Sequence, residues 1–213
     1  MKNFNTYISE KLKITKNTLS KQYNNNGHEY VDLDLPSGIL WAKCNVGAEK
    51  ETDFGVCFAW GEIETKDWYR STTYKYGVDN DCTKYNNKDK LTKLELKDDA
   101  AHVNMKGKWS MPTKEQFQEL IDNTTNEWIE NYNDSGINGM LFTSKHNDNT
   151  IFFPAAGYSL SGTQQEKKIG IYWSSTLSET FYDEAFCAHF QNTVLFINNR
   201  GRCVGMPIRG IIN

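Results

Sequence analysis

Thiol, imidazole and carboxylate side chains are the groups of this sequence that could perform chemistry, and their spacing does not indicate a metal site. A structural zinc site needs about four cysteine, histidine or acidic ligands brought together. The four histidines are scattered along the chain, and the five cysteines contain no Cys-x-x-Cys pair. The polar clusters at 79–81 and 147–149 offer oxygen ligands for calcium, but turn formation explains both more simply. The sequence therefore predicts neither a metal nor a cofactor.

The motifs of nucleophilic and phosphate-binding enzymes are missing. No Gly-x-Ser-x-Gly elbow, no Gly-x-Gly-x-x-Gly and no Walker loop occurs. Acidic pairs such as Asp98 and Asp99 are too common to indicate acid–base catalysis. Cys187 and Cys203 lie in strand-like, alternating segments, where packing is the usual role of a cysteine. We therefore expect a protein that is not an enzyme and has no catalytic residues.

Side chains typical of binding surfaces are concentrated between residues 172 and 202. Binding hot spots favour tyrosine, tryptophan and arginine, with adaptable serine and asparagine around them. Aromatic faces beside amides and carboxylates also suit sugars, through stacking and hydrogen bonds. The predicted ligand-binding residues are Tyr172, Ser178, Glu179, Phe181, Tyr182, Asp183, Asn192, Asn198, Asn199, Arg200 and Arg202.

A C-terminal antiparallel β-meander is predicted to position these residues. Segments 170–176, 185–190 and 193–197 are short and alternate in the manner of strands. Trp173 and Phe190 are expected in the core of the meander. Its polar side chains either form a binding surface or are simply solvated.

The remaining elements define an α+β class. Helices precede most of the strands without β-α-β alternation, which is typical of that class. The second helix has the stronger signal, because Thr113 and Gln116 have the spacing of a capping box. The long polar segment 66–93 shows little periodicity and is expected at the surface. The predicted helices cover 94–103 and 113–123, and the predicted earlier strands cover 30–35, 39–42, 58–62, 141–144 and 150–154.

The first 22 residues differ from the rest in charge. They contain five lysines and one glutamate, and a polar linker follows them. Apolar residues recur on one helical face, which predicts docking to a larger partner. Folding back onto the domain, fraying and membrane-surface binding are the alternatives. The predicted docking residues are Phe4, Tyr7, Ile8, Lys11 and Leu12.

Composition sets the remaining limits. A chain of 213 residues is long enough to bury a core without metals or disulfides. A net charge of −3 argues against nucleic-acid binding by the whole chain. No apolar stretch approaches the ~20 residues that span a bilayer, and no secretory signal is visible. The odd cysteine count favours free, buried thiols, although the sequence leaves open whether some of the cysteines pair in a disulfide.

Several short motifs follow one another between about residues 29 and 211. They include Tyr-Val-Asp-Leu at 30–33, Leu-Pro-Ser-Gly at 35–38, Cys-Asn-Val-Gly-Ala at 44–48, Phe-Ala-Trp-Gly-Glu at 58–62, Trp-Ser-Met-Pro-Thr at 109–113, Pro-Ala-Ala-Gly-Tyr at 154–158, Tyr-Trp-Ser-Ser at 172–175 and Gly-x-x-Ile-Arg at 205–209. In this order, the motifs resemble the Fibrobacter succinogenes major paralogous domain family, which is abundant in gut Bacteroidales and their phages.

The resemblance implies a C-type-lectin-like fold, related to formylglycine-generating enzymes and to the variable proteins of diversity-generating retroelements. In that wider group the closing segment is a display surface, and most members are adhesins or receptor-binding proteins. The sequence departs from the group in three ways. It lacks the Glu-Pro-Asn or Gln-Pro-Asp and Trp-Asn-Asp motifs of calcium-dependent lectins, it begins without an export signal, and Arg209-Gly210 replaces the usual closing Arg-Pro.

These observations predict a non-enzymatic phage virion protein, a head or tail fibre or a decoration, that attaches to host-surface glycans or proteins. Residues 1–27 would be a basic amphipathic docking segment and linker that binds another virion protein. Residues 28–213 would be a C-type-lectin-like domain with two helices and a C-terminal antiparallel β-meander. Whether this domain forms a homo-oligomer stays open. The expected location is the virion, after synthesis in the host cytoplasm. The alternatives are a bacterial cell-surface adhesin or pilin-like domain and a structural decoration without a ligand.

Overall fold

A computed structural model of the chain describes residues 24–77, 81–161, 164–165 and 168–213, with only the backbone for 24, 164 and 165. The predicted docking residues Phe4, Tyr7, Ile8, Lys11 and Leu12 therefore lie outside the described residues. Within the described part, the protein is α+β, with short helices and mostly antiparallel sheets, as the sequence predicts. None of the helices in that part has the length and apolarity needed to cross a lipid bilayer.

The first sheet joins the two ends of the domain. Its order is β1-β2-β3-β13-β4, so the last strand of the chain lies beside an early one. The predicted hairpin is confirmed, because Tyr30 lies opposite Ala42 in antiparallel β2 and β3, although β2 begins and ends earlier than predicted. Ile211 of β13 lies opposite Trp41. The strands are β1 Asn24–Asn25, β2 His28–Asp32, β3 Leu40–Asn45, β4 Trp109–Ser110 and β13 Arg209–Ile212.

The two α-helices differ in how well local sequence predicts them. Helix α1, Ala100–Met105, is shorter than predicted because Asp99 caps it by accepting a hydrogen bond from the His102 amide at 2.9 Å. Leu96 falls in a separate 3₁₀ turn and is exposed, so the part of the predicted helix before Ala100 is wrong. Helix α2, Lys114–Asn123, confirms the prediction, since Thr113 and Gln116 form both bonds of the capping box.

Two further sheets follow α2. The predicted hairpin of β6 and β7 is confirmed, and β5, which the sequence analysis missed, pairs with β6 on its other side. The predicted strand at 58–62 is wrong, because only Phe58 forms a bridge there, to Met206. The strands are β5 Thr124–Ile129, β6 Gly139–Ser144, β7 Thr150–Pro154, β8 Tyr158–Ser159 and β9 Gln164–Gln165.

The predicted C-terminal meander is confirmed as a three-stranded antiparallel sheet of β10 Gly170–Leu177, β11 Glu184–Gln191 and β12 Val194–Gly201. Trp173 of β10 belongs to one buried cluster and the adjacent Tyr172 to another. Because neighbouring side chains on a strand point to opposite faces, β10 is covered on both sides. The meander therefore runs through the interior at β10 and reaches the surface at its edge strand, β12.

Candidate ligand-binding surface

The polar segment 66–93 is built into the domain by aromatic side chains. Tyr69, Tyr74, Tyr76 and Tyr85 are all buried, which corrects the expectation of a long surface excursion. The hydroxyl groups of Tyr69, Tyr74 and Tyr85 reach backbone or charged partners, as in the bond from Tyr74 to the Trp60 carbonyl at 2.6 Å. A tyrosine can bury its ring while its hydroxyl is hydrogen-bonded, so a segment with a polar sequence can still contribute to a core.

Arg202 holds this segment against the meander. It is 1% exposed, and its guanidinium donates to the Tyr182 carbonyl at 2.6 Å, the Tyr74 hydroxyl at 2.8 Å and the Lys84 carbonyl at 3.0 Å. The guanidinium carbon also lies 4.9 Å from the centre of the Trp60 ring, a cation–π contact. The prediction that Arg202 contacts a ligand is wrong, because buried acceptors occupy its donors.

Asp98 is the buried anion of the same region. Its carboxylate accepts hydrogen bonds from Tyr85 at 2.8 Å, from Lys75 at 3.1 Å and from Lys84. Burial alone would raise the pKa of Asp98, but these donors, led by Lys84, outweigh it and hold the pKa well below its ordinary value. Asp98 therefore stabilises the fold as a carboxylate and is not poised for proton transfer.

A pH-dependent contribution to stability follows from Asp98. Because the pKa of the folded state is depressed, this contribution is present above the unfolded pKa of about 3.9 and is lost as pH falls further. Asp98→Asn is expected to lower the free energy of unfolding by about 2 kcal/mol at pH 7, and by less at pH 3. Urea titrations between pH 7 and pH 3 measure this, with exposed Glu64→Gln as the control. A difference from the wild type that does not shrink at low pH would contradict the assignment.

Two other predicted ligand contacts are also buried. Tyr172 is fully buried, and its hydroxyl donates to the Pro154 carbonyl at 2.7 Å and accepts from Asn45 at 3.1 Å. Ser178 is buried at the start of the β10–β11 loop, where its hydroxyl oxygen accepts from the Phe181 amide at 3.2 Å. Both predictions are wrong for the same reason: the side chains make internal hydrogen bonds that shape the loop and its strand.

The β10–β11 loop carries four other predicted ligand-binding residues, which we call the loop patch: Glu179, Phe181, Tyr182 and Asp183. Phe181 is 56% exposed, while the Glu179 carboxylate pairs with Lys114. The Tyr182 hydroxyl donates to the side chain of Asn87. Because Arg202 donates to the backbone carbonyl oxygens of Tyr182 and Asp183, the loop is fixed from beneath.

The second exposed group is a β12 stripe, defined as Phe196, Asn198 and Arg200. These residues alternate along one face of β12, and Phe196 is 39% exposed and stacked on His189 with ring centres 4.9 Å apart. Asn199 points to the opposite face, and its amide oxygen is buried without a hydrogen-bond partner among the described residues. The structure therefore separates Asn199 from the predicted set.

The predicted residues do not form one compact site. Asn192 lies in the β11–β12 turn, whereas the loop patch lies at the other end of β11, next to Glu184. A strand rises by about 3.3 Å per residue, so the two ends of the eight-residue β11 are about 23 Å apart. Only an extended ligand or a macromolecular surface could contact both ends.

Sequence reasoning missed a cleft with a volume of about 700 Å³. Residues of β2 and β3 line it and contribute an ion pair between Lys43 and Glu29 at 2.9 Å. Loop residues 48–52, Asn133 and Ser135 also line it. No sequence signal marks the cleft, because its walls come from segments about 90 residues apart that carry ordinary surface polar residues.

The thiols are not arranged for nucleophilic chemistry. All five cysteines are free, which agrees with the expectation for the chain. Burial raises the pKa of Cys187 to about 12 and also raises the pKa of Cys44 and Cys203, so these groups stay protonated near neutral pH. Within the part of the chain that the structure describes, no group of three or more histidine, cysteine or acidic side chains could hold a metal ion.

The comparisons with known proteins give one match, to a family model, over part of the chain. Residues 125–209 match a family described as a domain of unknown function, DUF8237. The match covers less than half of the chain, from β5 to the start of β13, and includes the loop patch and the β12 stripe. No curated protein matches the chain. No solved structure matches it either.

Proposed function

We propose that this protein is a non-enzymatic attachment protein of a phage virion that displays a C-type-lectin-like domain to the host surface. The loop patch and the β12 stripe are its contact groups, and host-surface glycans are the ligands that they suit best. The observation that carries the proposal is the exposure of Phe181, on a loop that Arg202 bonds to, and of Phe196, on a strand that pairs with β11.

The rigid backbone under the exposed aromatic side chains favours ligand binding over the alternative that this face is simply solvated. An exposed aromatic side chain on ordered backbone loses little conformational entropy when it contacts a ligand. Arg202 fixes the loop patch, and the pairing of β12 with β11 fixes the stripe. The resemblance to the major paralogous domain family also favours binding, since the closing segment is expected to be a display surface in that wider group.

Attachment through such small patches would rely on many weak contacts. Repeated copies on one particle raise the overall avidity without strengthening a single contact. In this proposal, residues 1–22 anchor each copy to another virion protein, and the described domain faces outward.

A glycan panel tests the proposal with the full chain displayed in many copies on beads. The panel includes neutral, N-acetylated and acidic glycans. Replacing Phe181 and Phe196 with alanine is expected to weaken binding by about 2 kcal/mol, or roughly 30-fold. Leu96→Ala is a matched control, because Leu96 and Phe181 are each 56% exposed. We expect Leu96→Ala to bind like the wild type.

The outcomes separate the competing functions. Binding to no glycan and to no host cell would overturn attachment and favour a structural decoration. Binding that survives the double alanine variant would place the contact surface elsewhere. Recovery of the protein from the bacterial envelope in the absence of phage particles would favour the adhesin alternative.

A further inference from the structure

The β12 stripe carries an arginine that pairs with no anion among the described residues. Arg200 is exposed, and among the described residues its guanidinium reaches only the Asn199 carbonyl, at 3.4 Å. Two other cations of this region are paired, Lys114 with Glu179 and Lys84 with Asp98. As far as the described residues go, Arg200 is therefore available to bind an anion from outside the domain.

The surroundings of Arg200 supply the rest of a saccharide site. Asn198 uses its amide oxygen to accept from the Asn199 backbone at 2.8 Å, which leaves its amide nitrogen to donate outward. Phe196, stacked on His189, offers an apolar ring. Along β12 the stripe thus runs from an aromatic group to an amide to a guanidinium on one face.

The dimensions of the stripe suit an extended ligand. Phe196 and Arg200 are four residues apart, or about 13 Å at a strand rise of about 3.3 Å per residue. A single sugar contacting Arg200 would not reach Phe196, whereas an oligosaccharide could lie along β12. Arg200 would then select carboxylates, because a guanidinium binds them through two parallel hydrogen bonds.

We infer that the β12 stripe binds acidic, carboxylate-bearing polysaccharide, with Arg200 on a carboxylate and Phe196 against a sugar ring. This inference rests on the proposed attachment function and names its ligand class. The protein carries a net charge of −3, so its overall charge does not attract polyanions. Selectivity for an acidic chain must therefore come from a local cation.

Polygalacturonate and its highly methyl-esterified form are the test ligands, because esterification removes charge while the sugar backbone is kept. Affinities are measured with the full-length chain at low and at high salt. The wild type is expected to bind the acidic form at least about tenfold more tightly, with the preference reduced at high salt. Arg200→Gln should abolish the preference, and Phe196→Ala should weaken binding to both forms.

The matched control is Arg70→Gln, which removes the other exposed arginine. Arg70 lies over the Trp68 ring at 4.2 Å, away from β12 in sequence, so this change should leave the preference intact. Equal binding of both polymers, or a preference that survives Arg200→Gln, would overturn the acidic class. Binding of neither polymer would overturn it as well, while binding to other glycans on the panel would leave the attachment function standing.

Discussion

Arg202→Ala is expected to lower the free energy of unfolding by about 3–5 kcal/mol, because several buried acceptors lose their donor at once and each costs about 1–3 kcal/mol. The buried Tyr74 hydroxyl and the partly buried Tyr182 and Lys84 carbonyl oxygens would lose this partner. Urea unfolding followed by tryptophan fluorescence measures the loss. Arg202→Lys should recover only part of it, since an ammonium group cannot span three separated acceptors.

The neighbouring Arg200 provides the control for this prediction. Arg200→Ala removes the same side chain two positions earlier, where it is exposed. Its effect on stability should stay within about 0.5 kcal/mol. Unfolding midpoints that are equal for the two alanine variants would show that the buried guanidinium does not hold the segment 66–93 in place.

Arg209→Ala should cost a similar amount, about 3–5 kcal/mol, for the same physical reason. The guanidinium of Arg209 is fully buried and donates to Asn45 at 2.8 Å, to the Ala42 carbonyl at 3.0 Å and to the Phe152 carbonyl at 3.1 Å. It also stacks on Phe153, with the guanidinium carbon 4.3 Å from the ring centre. These bonds connect β13 to β3 and β7, so their loss should loosen the closure between the two ends of the domain.

Hydrogen exchange shows where Arg209→Ala loosens the structure. In Arg209→Ala, the amides of β13 and β3 should exchange faster, while those of the β11–β12 hairpin should change less. Arg70→Ala serves as the control, because Arg70 is exposed and contacts only local groups among the described residues. Unchanged protection of β13 would contradict the role of Arg209 in closing the first sheet.

Local interactions explain the elements that were predicted correctly. Thr113 and Gln116 are three residues apart, so the capping box can be recognised without knowing what α2 packs against. The meander and the β6–β7 hairpin likewise follow from alternation over a few residues and from short polar turns. The prediction for α1 was wrong at its start, because residues 96–98 form a separate 3₁₀ turn and Asp99 caps the helix after them.

Long-range interactions explain the binding residues that were misplaced. Arg202 donates hydrogen bonds to Tyr74 and Lys84. The Tyr172 hydroxyl is hydrogen-bonded to Asn45 and Pro154. A tyrosine or an arginine has the same local sequence signal in a binding surface as in a buried hydrogen-bonding role. The exposed members of the predicted set, such as Phe181 and Arg200, differ from the buried ones only in what the rest of the chain places over them.

The sequence by itself determined the α+β class, the second helix and the strands of the meander, because each depends on side chains a few residues apart. Only the tertiary structure decided which faces of those strands are covered. Helix α2 packs on the meander face that carries Phe190, while the face of β12 that carries Phe196 stays partly open. Burial depends on segments that are distant in sequence and meet only in the fold, so periodicity marks a face without showing what covers it.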